Sequence, residues 1–532
     1  MPNVQKCLTL LGTASIQDYV FRSNRLKENI GASHLVWNAL ECWRAAGTQP
    51  ALCEVVFVGG GNAALVFDSR DQAVEAVRLW SRELLDEAPG LRVVCAHTPY
   101  VEGRLAAAYL DAQKALFINE TGPPFGRELG ALPVTRPCPS TGLAADVWDG
   151  TSQKWISEES HRKRCIADKA NSEIGTRYKD CLSAGGPYTF PEELEKLGIQ
   201  EGESQIAIVH ADGNGIGQIL ANIVGGDQAD GELRTRLGAA SGAISTLAFS
   251  AFQLTLADLS AALPALTEQG VVTLQKDSRG RWFYPVRPIV DGGDDLTFVC
   301  HGKLGLSLAA RYLAHFETES RKHVTALGCE EGLTACAGVF IMPQKFPFAR
   351  GYQMAESLAA SAKRARKRNG GAGSWLDFQL MLEGSAGTLE EVRRSYWQAS
   401  GKRCLLRRPY RIGSDDATGW NSFESIWSEF HDLSKWPRSR AKQFLLALTR
   451  GEAATKEAVE EFTSRGRTLP GAGSPRESWR TEQETVRRRP TGVKNPITRT
   501  VYFDPLEVLD HHAQLITPAI AEERSSESAV TN

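Results

Sequence analysis

Three aspartates lie close together in the segment PIVDGGDDLTFV, at a point where the chain is expected to turn sharply. Asp291, Asp294 and Asp295 flank Gly292 and Gly293, between two short apolar runs. Glycine adopts positive φ without steric cost, so this pattern is typical of a tight β-hairpin. Carboxylates so close together repel unless a cation lies between them, and a divalent metal carrying a nucleoside triphosphate is such a cation. A solvated turn is the alternative that DGGDD by itself favours.

A further carboxylate follows a predicted strand earlier in the chain. In IAIVHADGNGIG, Asp212 ends an apolar run and is followed by Gly213, Asn214 and Gly215. Backbone N–H groups and the positive end of a following helix can approach a phosphate at such a turn, while Asp212 can ligate the metal that holds the phosphate. Turns of the G-x-G type are common, so a purely structural strand–helix turn is the competing interpretation.

A basic helix end supplies a candidate phosphate ligand. The predicted helix 352–368 ends in SAKRARKRNGG, and Lys363 or Arg364 can neutralise the β- and γ-phosphates if it points toward the same pocket. Positive charge at a helix C-terminus also complements the helix dipole. A solvated cationic helix end is therefore the alternative interpretation.

Two stretches of the chain show the same order of predicted elements, which would bring these residues together. The first stretch has strands at 7–12, 52–58, 63–67 and 91–96, with helices at 16–44, 71–85 and 103–115. The second has strands at 205–210, 286–290, 296–300 and 333–342, with helices at 216–224, 237–263, 304–324 and 352–368. The order βαββαβ with a central hairpin predicts an α+β protein with two tandem ferredoxin-like palm domains.

The palm arrangement places the first strand beside the hairpin. Asp212 and Asp294 are therefore expected to face each other despite their separation in sequence. Two carboxylates meeting at one point suit a two-metal site for nucleotidyl transfer, with the ions about 3.5–4 Å apart. One ion would lower the pKa of an attacking 3′-hydroxyl, and the other would neutralise the triphosphate.

The two predicted hairpins differ in charge. Laid over each other without gaps, VGGGNAALVF from position 58 and VDGGDDLTFV from position 290 share two glycines, and Asn62 and Ala63 fall on Asp294 and Asp295. Because the turn glycines are kept where the carboxylates are missing, the hairpin does not require the aspartates. We therefore predict that the first unit is a catalytically silent copy of the second.

Length and composition predict a soluble protein of several domains. The chain has 532 residues, 42% hydrophobic and 23% charged, with a formal charge of −2, which argues against a general nucleic-acid-coating function. We expect a first, degenerate palm domain (1–120), a connector (121–203), a second, catalytic palm domain (204–383) and a mostly helical C-terminal domain (384–532) with a disordered tail. The N-terminus lacks signal-peptide features and the apolar stretch 243–266 is interrupted by polar residues, so we predict a cytoplasmic protein with a buried helix there.

The eleven cysteines are scattered without a CxxC pair, as expected of free thiols in a reducing compartment. Cys138, Cys165, Cys181 and His161 form a conceivable zinc set in the connector, but the close pairs of known zinc knuckles are missing. Basic runs at 162–164 and 487–489 are candidate RNA contacts, although charge clusters in loops are more often simply solvated.

The sequence resembles a known family, the palm-domain polymerase/cyclase large subunit of type III CRISPR effector complexes. Its broader relatives are the GGDEF diguanylate cyclases and the class III nucleotide cyclases. The resemblance depends on HADGNGIG (210–217), VDGGDD (290–295) and AESLAASAKR (355–364), with SIQDYVFRSNRLKENIGAS (15–33) similar to the first-palm segment. It covers most of residues 1–380.

The resemblance implies two palms packed face to face with ATP bound between them, and a second palm that joins ATP 3′-to-5′ into cyclic oligoadenylates for antiviral defence. Mg²⁺ or Mn²⁺ is the implied cofactor and ATP the substrate. Carried onto this sequence, the residues are Asp294 and Asp295 as catalytic carboxylates, Asp212 and Asp294 as metal ligands, and Gly213, Asn214, Gly215, Gly292, Gly293 and Lys363 as nucleotide-binding residues.

The chain departs from the family pattern in two ways. Many members begin with an HD nuclease domain, whereas this sequence starts in the first palm and His431–Asp432 is isolated, so no DNase activity is expected. The usual zinc knuckle between the palms is eroded, because CPSTG keeps one cysteine where a pair is typical. Whether the protein joins RNA-guided effector subunits, with target RNA as activator, or acts alone stays open.

Two other functions compete with a cyclic oligoadenylate synthase. One is a non-catalytic scaffold subunit of an RNA-guided complex, against which the intact carboxylates beside a decayed first palm argue. The other is a GGDEF-like cyclase or a cyclic-mononucleotide cyclase. Against that alternative, Leu296 stands where a GGDEF signature has phenylalanine, and a tandem palm is unusual for such enzymes.

Overall fold

The computed structural model describes most of the chain, and the structural statements below concern the described residues. These are residues 5–46, 53–122, 134–183, 186–199, 205–381, 387–397, 403–416, 418–470, 480–484 and 495–515. The Gly/Pro-rich stretch 471–475, the basic run 487–489 and the tail after residue 521, for which loose or disordered structure is predicted, lie outside them.

The first palm unit has the predicted βαββαβ order. Its elements are β1 (Lys6–Ala14), α1 (Ile16–Phe21), α2 (Leu26–Ala46), β2 (Glu54–Gly59), β3 (Asn62–Phe67), α3 (Arg70–Glu87), β4 (Arg92–Tyr100) and α4 (Leu105–Thr121). The sheet order is β2-β3-β1-β4, with β1 antiparallel to both of its neighbours. Side chains alternate between the two sheet faces, and helices cover the apolar ones.

One predicted helix of the first unit is two helices. The expected helix 16–44 breaks between α1 and α2, where Ser23 and Asn24 are located. Ser23 Oγ accepts a hydrogen bond from the Arg25 backbone N–H at 3.0 Å, and Asn24 Oδ1 accepts one from the Phe348 backbone N–H at 2.8 Å. Short polar side chains that bond to backbone compete with helix formation, which explains the break.

The connector holds a long helix that the sequence patterns did not predict. Its elements are β5 (Val147–Asp149), β6 (Lys154–Ile156), α5 (Glu158–Arg177), α6 (Lys179–Ser183) and β7 (Tyr188–Thr189). Helix α5 packs against α2 so closely that a Cβ added at Gly31 would lie 1.8 Å from the Lys163 carbonyl oxygen. Glycine at this contact allows the two helix backbones to approach.

The basic run 162–164 was predicted to be a solvated loop cluster or an RNA contact, and the loop prediction is wrong. The run lies within α5, where the Lys163 side chain is fully buried and its Nζ donates to Glu159 Oε1 and to the Tyr19 carbonyl. Arg164 pairs with the buried carboxylate of Glu28 at 2.6 Å. The charges of Lys163 and Arg164 are therefore neutralised by carboxylates where the connector packs against the first palm. Arg162 is the exposed member of the run.

The second palm unit repeats the order and extends the sheet. Its elements are β8 (Gln205–Gly213), α7 (Ile216–Val224), α8 (Asp230–Glu268), β9 (Trp282–Phe283), β10 (Val286–Gly292), β11 (Asp295–His301), α9 (Gly305–Ser320), α10 (Val324–Leu327), β12 (Ala335–Pro343), α11 (Phe348–Arg368) and β13 (Trp375–Leu380). The sheet order is β10-β11-β8-β12-β13-β15, in which β15 (Tyr410–Arg411) comes from the C-terminal region. The expected α+β class with two palms is confirmed.

Helix α8 contains the predicted buried helix 243–266. It has the length and composition of a membrane-crossing helix, but 56% of its most apolar window is buried inside the protein. Leu247, Phe252 and Leu256 lie in the main core of the second palm. The amino-terminal part of α8 packs against the first palm, where Leu233 and Leu237 share a core cluster with β1 and β3.

The C-terminal region is mostly helical, as expected, with a small additional sheet. It contains α12 (Leu389–Arg394), β14 (Arg403–Cys404), β15, α13 (Trp420–His431), α14 (Arg438–Arg450), α15 (Glu452–Ser464), β16 (Arg480–Glu484), β17 (Asn495–Arg499) and α16 (Phe503–Glu507). The buried Asp504 carboxylate accepts from the backbone N–H of Arg408 at 2.8 Å and from the Tyr410 hydroxyl at 2.9 Å. These bonds join the C-terminal region to the edge of the second palm.

Candidate active site

The antiparallel ladder of the second palm brings two aspartates directly opposite each other. Strands β8 and β11 pair in a register that sets Asp295 opposite Asp212 and Thr297 opposite His210. Residues two apart on a strand share a face, and so do directly opposed residues on neighbouring strands. His210, Asp212, Asp295 and Thr297 therefore project from one face of the sheet.

Three of these side chains form a candidate cation site. The ligand atoms of His210, Asp212 and Asp295 all lie within 4.8 Å of one another. Within the described part of the chain, this is the one group of three or more histidine, cysteine or acidic side chains that meets so closely. The Nδ1 atom of His210 is 3.0 Å from the Thr297 hydroxyl, which orients the imidazole.

The sequence prediction missed His210 as a member of this group. Its position two residues before Asp212 in a strand was the available signal, because period-two alternation puts both on one face. Burial lowers the pKa of His210 to about 4, with Lys363 acting in the same direction and Asp212 against it. The imidazole is therefore neutral at physiological pH, which is the form that binds metals.

Asp294 has a different position from the one expected. It was predicted to face Asp212, but the residue paired with Asp212 is Asp295, because Asp294 stands within the two-residue turn between Gly292 and Asp295. The Asp294 side chain lies beside the backbone of Gly213, where an added Cβ would be 3.2 Å from the Asp294 Cβ. Its assignment as a metal ligand stays a prediction, and it lies outside the group of three.

The acidic side chains raise one another's pKa values. Burial, together with Asp294 and Asp212, raises the pKa of Asp295 to about 7. Burial and Asp212 also raise the pKa of Asp294. On the facing helix α11, burial and the neighbouring Asp18 and Asp212 raise the pKa of Glu356. Raised pKa values of this kind are expected of buried carboxylates that lie close to other carboxylates.

Lys363 points into this site, whereas Arg364 does not. Lys363 Nζ forms an ion pair with Asp212 Oδ2, and Arg364 is exposed to solvent. Helix α11 presents Tyr352, Glu356 and Lys363 on the side that faces the sheet, at the i, i+4 and i+11 spacing of one helix face. The Tyr352 ring packs edge-on against His210, with 5.5 Å between ring centroids.

The glycine-rich turn after β8 favours glycine at two of its positions. Gly215 has φ +82° and precedes α7, whose N-terminal N–H groups face the turn. A Cβ at Gly213 would lie 2.6 Å from the Ile216 side chain, so this position needs glycine. The Asn214 side chain donates to the Thr334 hydroxyl at 3.0 Å. Asn214, predicted to bind nucleotide, thus holds the turn against the strand β12 region in this structure.

The third carboxylate of the motif is occupied by protein partners. Asp291 accepts from the Tyr178 hydroxyl and pairs with Arg177 at 3.2 Å, both at the C-terminal end of α5. The Arg177 guanidinium also lies over the Phe249 ring, 4.6 Å from its centroid. Asp291 therefore fastens the hairpin to the connector, while Asp294 and Asp295 are left for the site.

The two palms meet at their glycine turns. A Cβ added at Gly293 would lie 3.0 Å from the Gly60 Cα, so the hairpin turn of the second palm touches that of the first. Beside this contact is a cavity of about 460 Å³, which we call the first cavity. It is bounded by both turns, by α1 and α2, and by His210, Asp294, Asp295 and Tyr352. Its volume suits a nucleotide-sized ligand.

The strand pairing shows that the two hairpins correspond with an offset of one residue from the ungapped sequence overlay. Both turns connect paired residues, Gly59 with Asn62 and Gly292 with Asp295. Asn62 is therefore the equivalent of Asp295, not of Asp294 as the ungapped overlay predicted. The pairing of Gly12 with Asn62 in the first sheet likewise makes Gly12 the equivalent of Asp212.

The shift arises because Gly59, not Gly60, is the paired residue before the first turn and is therefore the equivalent of Gly292. Each hairpin also has a bulge at the equivalent position, between Val55 and Phe57 in the first palm and between Pro288 and Val290 in the second. Each bulge adds one residue to the outer strand before the turn. The conclusion that the first palm lacks the carboxylates holds in the structural register as well.

The donor set fits a divalent cation. Asp212 and Asp295 offer carboxylate oxygens, as Mg²⁺ and Mn²⁺ require, and His210 adds a nitrogen that Mn²⁺ accepts more readily than Mg²⁺. The Lys363 ammonium provides positive charge at Asp212 in this structure. Within the described residues, two of the connector candidates have other partners: Cys181 Sγ contacts the Gln253 carbonyl at 3.3 Å, and Cys138 Sγ lies 3.6 Å from Ser160 Oγ. The other two contact each other, with 3.5 Å between Cys165 Sγ and His161 Nε2.

Comparison with known proteins gives one family and several similar folds. Residues 205–372 match the family model Cas10/Cmr2, second palm domain. The structure is similar to a Csm1–Csm4 cassette in complex with pppApA, with 13% identity, a TM-score of 0.49 and coverage of 96% of this chain and 70% of that chain. No curated protein matches the sequence.

Two further solved structures are similar at the same level. The Csm1–Csm4 cassette in complex with cA3 has 13% identity, a TM-score of 0.42 and coverage of 82% of this chain and 59% of that chain. Csm1 in T. onnurineus has 13% identity, a TM-score of 0.45 and coverage of 88% and 68%. The chain thus spans about three fifths to seven tenths of the length of these proteins.

Proposed function

We propose that this chain, whose residues 205–372 match the family model Cas10/Cmr2, second palm domain, is a metal-dependent nucleotidyltransferase that converts ATP into cyclic oligoadenylate. The observation that carries the proposal is the pairing of Asp212 with Asp295, a residue that lines the cavity between the two palms. The equivalent pair in the first palm is Gly12 and Asn62, so the charge serves chemistry in one palm only.

The reaction joins the 3′-oxygen of one ATP to the α-phosphorus of the next. A P–O bond forms there, the bond to the β-phosphate bridging oxygen breaks, and pyrophosphate and a proton are released. A divalent cation bound at such a site lowers the pKa of the 3′-hydroxyl and neutralises phosphate charge. His210, Asp212 and Asp295 are the residues that would hold it.

The remaining site residues position the nucleotide. Asp294 lies in the hairpin turn that lines the first cavity, and its carboxylate adds negative charge for a second cation. Lys363 carries the positive charge nearest to Asp212 and is suited to donate to a phosphate oxygen. Gly213, Gly215, Gly292 and Gly293 keep side chains away from the nucleotide, and the N-terminal N–H groups of α7 face its phosphates.

The domain organisation that we propose has one catalytic and one silent palm. We assign residues 1–120 to a silent first palm, 121–203 to a connector, 204–383 to the catalytic palm and 384–532 to a C-terminal domain. We further propose a cytoplasmic protein that works with subunits of an RNA-guided effector complex, with target RNA as its activator. Helix α5 of the connector contacts α2 of the first palm and Asp291 of the second palm. A subunit that binds and displaces α5 would therefore change the distance between the two glycine turns.

The test is a nucleotide profile of the purified protein. The protein is incubated with each of the four NTPs and with Mg²⁺ or Mn²⁺, with and without candidate activator RNA, and the products are identified by mass spectrometry. We expect cyclic adenylates from ATP. A protein in which Asp294→Ala is combined with Asp295→Ala should make none, because the site loses two carboxylates while the turn glycines remain.

The matched control is the pair Asp415→Ala with Asp416→Ala, which removes two consecutive exposed aspartates from a loop away from the cavity. This control should produce cyclic adenylates at the wild-type rate. Equal turnover by the Asp294/Asp295 variant and the wild type would remove the site assignment. Cyclic products from another NTP in place of ATP would remove the substrate assignment.

A further inference from the structure

A second cavity, of about 490 Å³, adjoins the first cavity. It lies between α2 of the first palm, α5 of the connector and β10 of the second palm. The two cavities share Ser33, Trp37, Arg177 and Asp291 along their common boundary. A ligand that fills the first cavity can therefore continue into the second without crossing a wall of backbone.

An arginine with little compensation lines this second cavity. Arg287 is only 2% exposed, and its guanidinium donates to the neutral side-chain oxygen of Asn171. Its Nε atom has no hydrogen-bond partner, and among the described residues no carboxylate forms an ion pair with it. Burial lowers the pKa of Arg287 to about 9, with Glu192 acting in the opposite direction.

A buried cation without a counter-charge is costly, because its lost hydration is not replaced. An anionic group that entered the cavity would supply the missing partner and would form charge-assisted hydrogen bonds with the guanidinium. Arginine is well suited to phosphate for this reason. Two carboxylates also line the cavity, but each has a partner, Glu173 beside His34 and Asp291 beside Arg177. Arg287 is therefore the group that a phosphate-bearing ligand would meet.

Two aromatic side chains complete the chemistry. The Trp37 side chain is 49% exposed although it borders both cavities, which leaves an indole face open for stacking. His34, on the same helix, has a buried Nε2 atom without a hydrogen-bond partner, while its Nδ1 atom lies 3.4 Å from Glu173. Bases stack on indole rings and offer hydrogen-bonding edges to such nitrogen atoms.

We propose that the second cavity binds the next nucleotide of a linear oligoadenylate whose reacting end occupies the first cavity. Its phosphodiester contacts Arg287, and its base stacks on Trp37 beside His34. This inference rests on the proposed function for the nature of the oligonucleotide. It adds a site that holds the growing chain between successive additions and thereby sets how far the chain grows before its ends join.

The first experiment measures binding without turnover. Linear 5′-phosphorylated triadenylate is titrated into the full-length protein in the presence of a chelator, and the heat of binding is recorded. Arg287→Met keeps the side-chain volume and removes the charge, and we expect about tenfold weaker binding, the usual effect of losing a charge-assisted hydrogen bond. Arg281→Met, at a partly exposed arginine outside the cavity, is the matched control and should bind like the wild type.

The second experiment reads the product lengths made from ATP. Arg287→Met should shift the products toward diadenylate and other short linear forms, while total ATP consumption changes less than about twofold. Because a buried arginine can be needed for folding, Trp37→Ala on the half-exposed indole is the second variant, with Trp155→Ala as its control. Trp37 borders both cavities, so for this variant the product lengths alone are compared, as fractions of the ATP consumed. Thermal unfolding identifies the variants that are folded.

The outcomes separate this inference from the proposed function. Wild-type cyclic products with unchanged lengths and unchanged triadenylate affinity in folded Arg287→Met and Trp37→Ala proteins would overturn the second-cavity assignment and leave the enzyme intact. Triadenylate binding that depends on Arg287 in a protein without ATP turnover would support the cavity and overturn the proposed enzyme. Equal affinity for a phosphate-free triadenosine analogue would overturn the role of Arg287.

Discussion

The two palms have the same pattern of strand pairing, but they differ in the pair of residues at the end of the central strands. In the second palm, the pair at the end of the first strand is Asp212 and Asp295, and in the first palm it is Gly12 and Asn62. Both hairpins carry one bulge and a two-residue turn, and their turns touch at the glycines. The same backbone thus exists with and without the carboxylates, so the fold does not depend on them.

The turns also differ in backbone conformation. In the first palm both turn residues are glycines with positive φ, +59° at Gly60 and +73° at Gly61. In the second palm Gly293 has φ +67°, whereas Asp294 is not among the residues with positive φ. A side chain at the second turn position is therefore allowed in the second palm, because the turn there avoids the left-handed region that penalises a Cβ.

The electrostatic consequence is a site that works against the stability of the ligand-free protein. The elevated pKa values of Asp294, Asp295 and Glu356 show that each negative charge is opposed by burial and by its neighbours. The first palm avoids this cost. Such a difference between two copies of one fold is expected where one copy binds cations and the other supports it.

The largest effect is expected from giving the second palm the residues of the first. Asp212→Gly with Asp295→Asn should lower ATP turnover at least about 1,000-fold, equivalent to roughly 4 kcal/mol of transition-state stabilisation. Turnover is measured by pyrophosphate release, with circular dichroism as the fold control. A variant that kept a tenth of the activity would show that the ladder pair is not the reaction centre.

Removal of the lysine beside Asp212 should have a smaller effect. Lys363→Met is expected to raise the KM for ATP about tenfold, because one charge-assisted contact to a phosphate is lost. Arg364→Met is the matched control, since that neighbouring cation is exposed on the same helix. Equal KM values for both variants would mean that Lys363 only neutralises Asp212.

The reverse graft tests whether the first palm can be given a cation site. Gly12→Asp with Asn62→Asp should lower the melting temperature in chelator by roughly 5 °C, because two carboxylates are placed opposite each other and the Gly12 position already lies 3.3 Å from the Asn62 side chain. Mn²⁺ should restore part of the loss by binding the folded state. A melting temperature that Mn²⁺ leaves unchanged would show that the ladder alone does not create the site.

The smallest effect is a pH dependence of stability. The folded-state pKa of Asp295, about 7, lies above the ordinary value, so the fold retains a proton that the unfolded chain has released. Stability from this group is present at low pH and is lost as the pH rises from about 4 to about 7. In chelator, Asp295→Asn should therefore raise the melting temperature by a few degrees at pH 8 and much less at pH 4. An equal gain at both values would contradict the shifted pKa.

Local patterns in the sequence predicted the palms well. Apolar alternation, the turn glycines and the helix periods were sufficient for two βαββαβ units, and helix α7 has the predicted bounds (Ile216–Val224). Helix α5 was missed because the residues that it buries are largely polar, including Glu159, Ser160 and Lys163. A hydrophobic pattern cannot report a helix whose buried face is held by ion pairs.

The sequence by itself predicted most of the candidate site: Asp294 and Asp295 of DGGDD, Asp212 after a strand, and a lysine on a basic helix. It also determined that a second copy of the hairpin lacks the charge. These properties depend on residue type and short-range spacing, which the chain carries locally.

Only the tertiary structure decided which aspartate meets Asp212. The pairing of β8 with β11 fixes the strand register, and a slip of one residue in it would move every side chain to the other face. Register therefore selects Asp295 and adds His210, while Asp294 is left at the turn. The partners of Asp291 and the neutral partner of Arg287, Asn171, come from the connector helix, whose position no local pattern specifies.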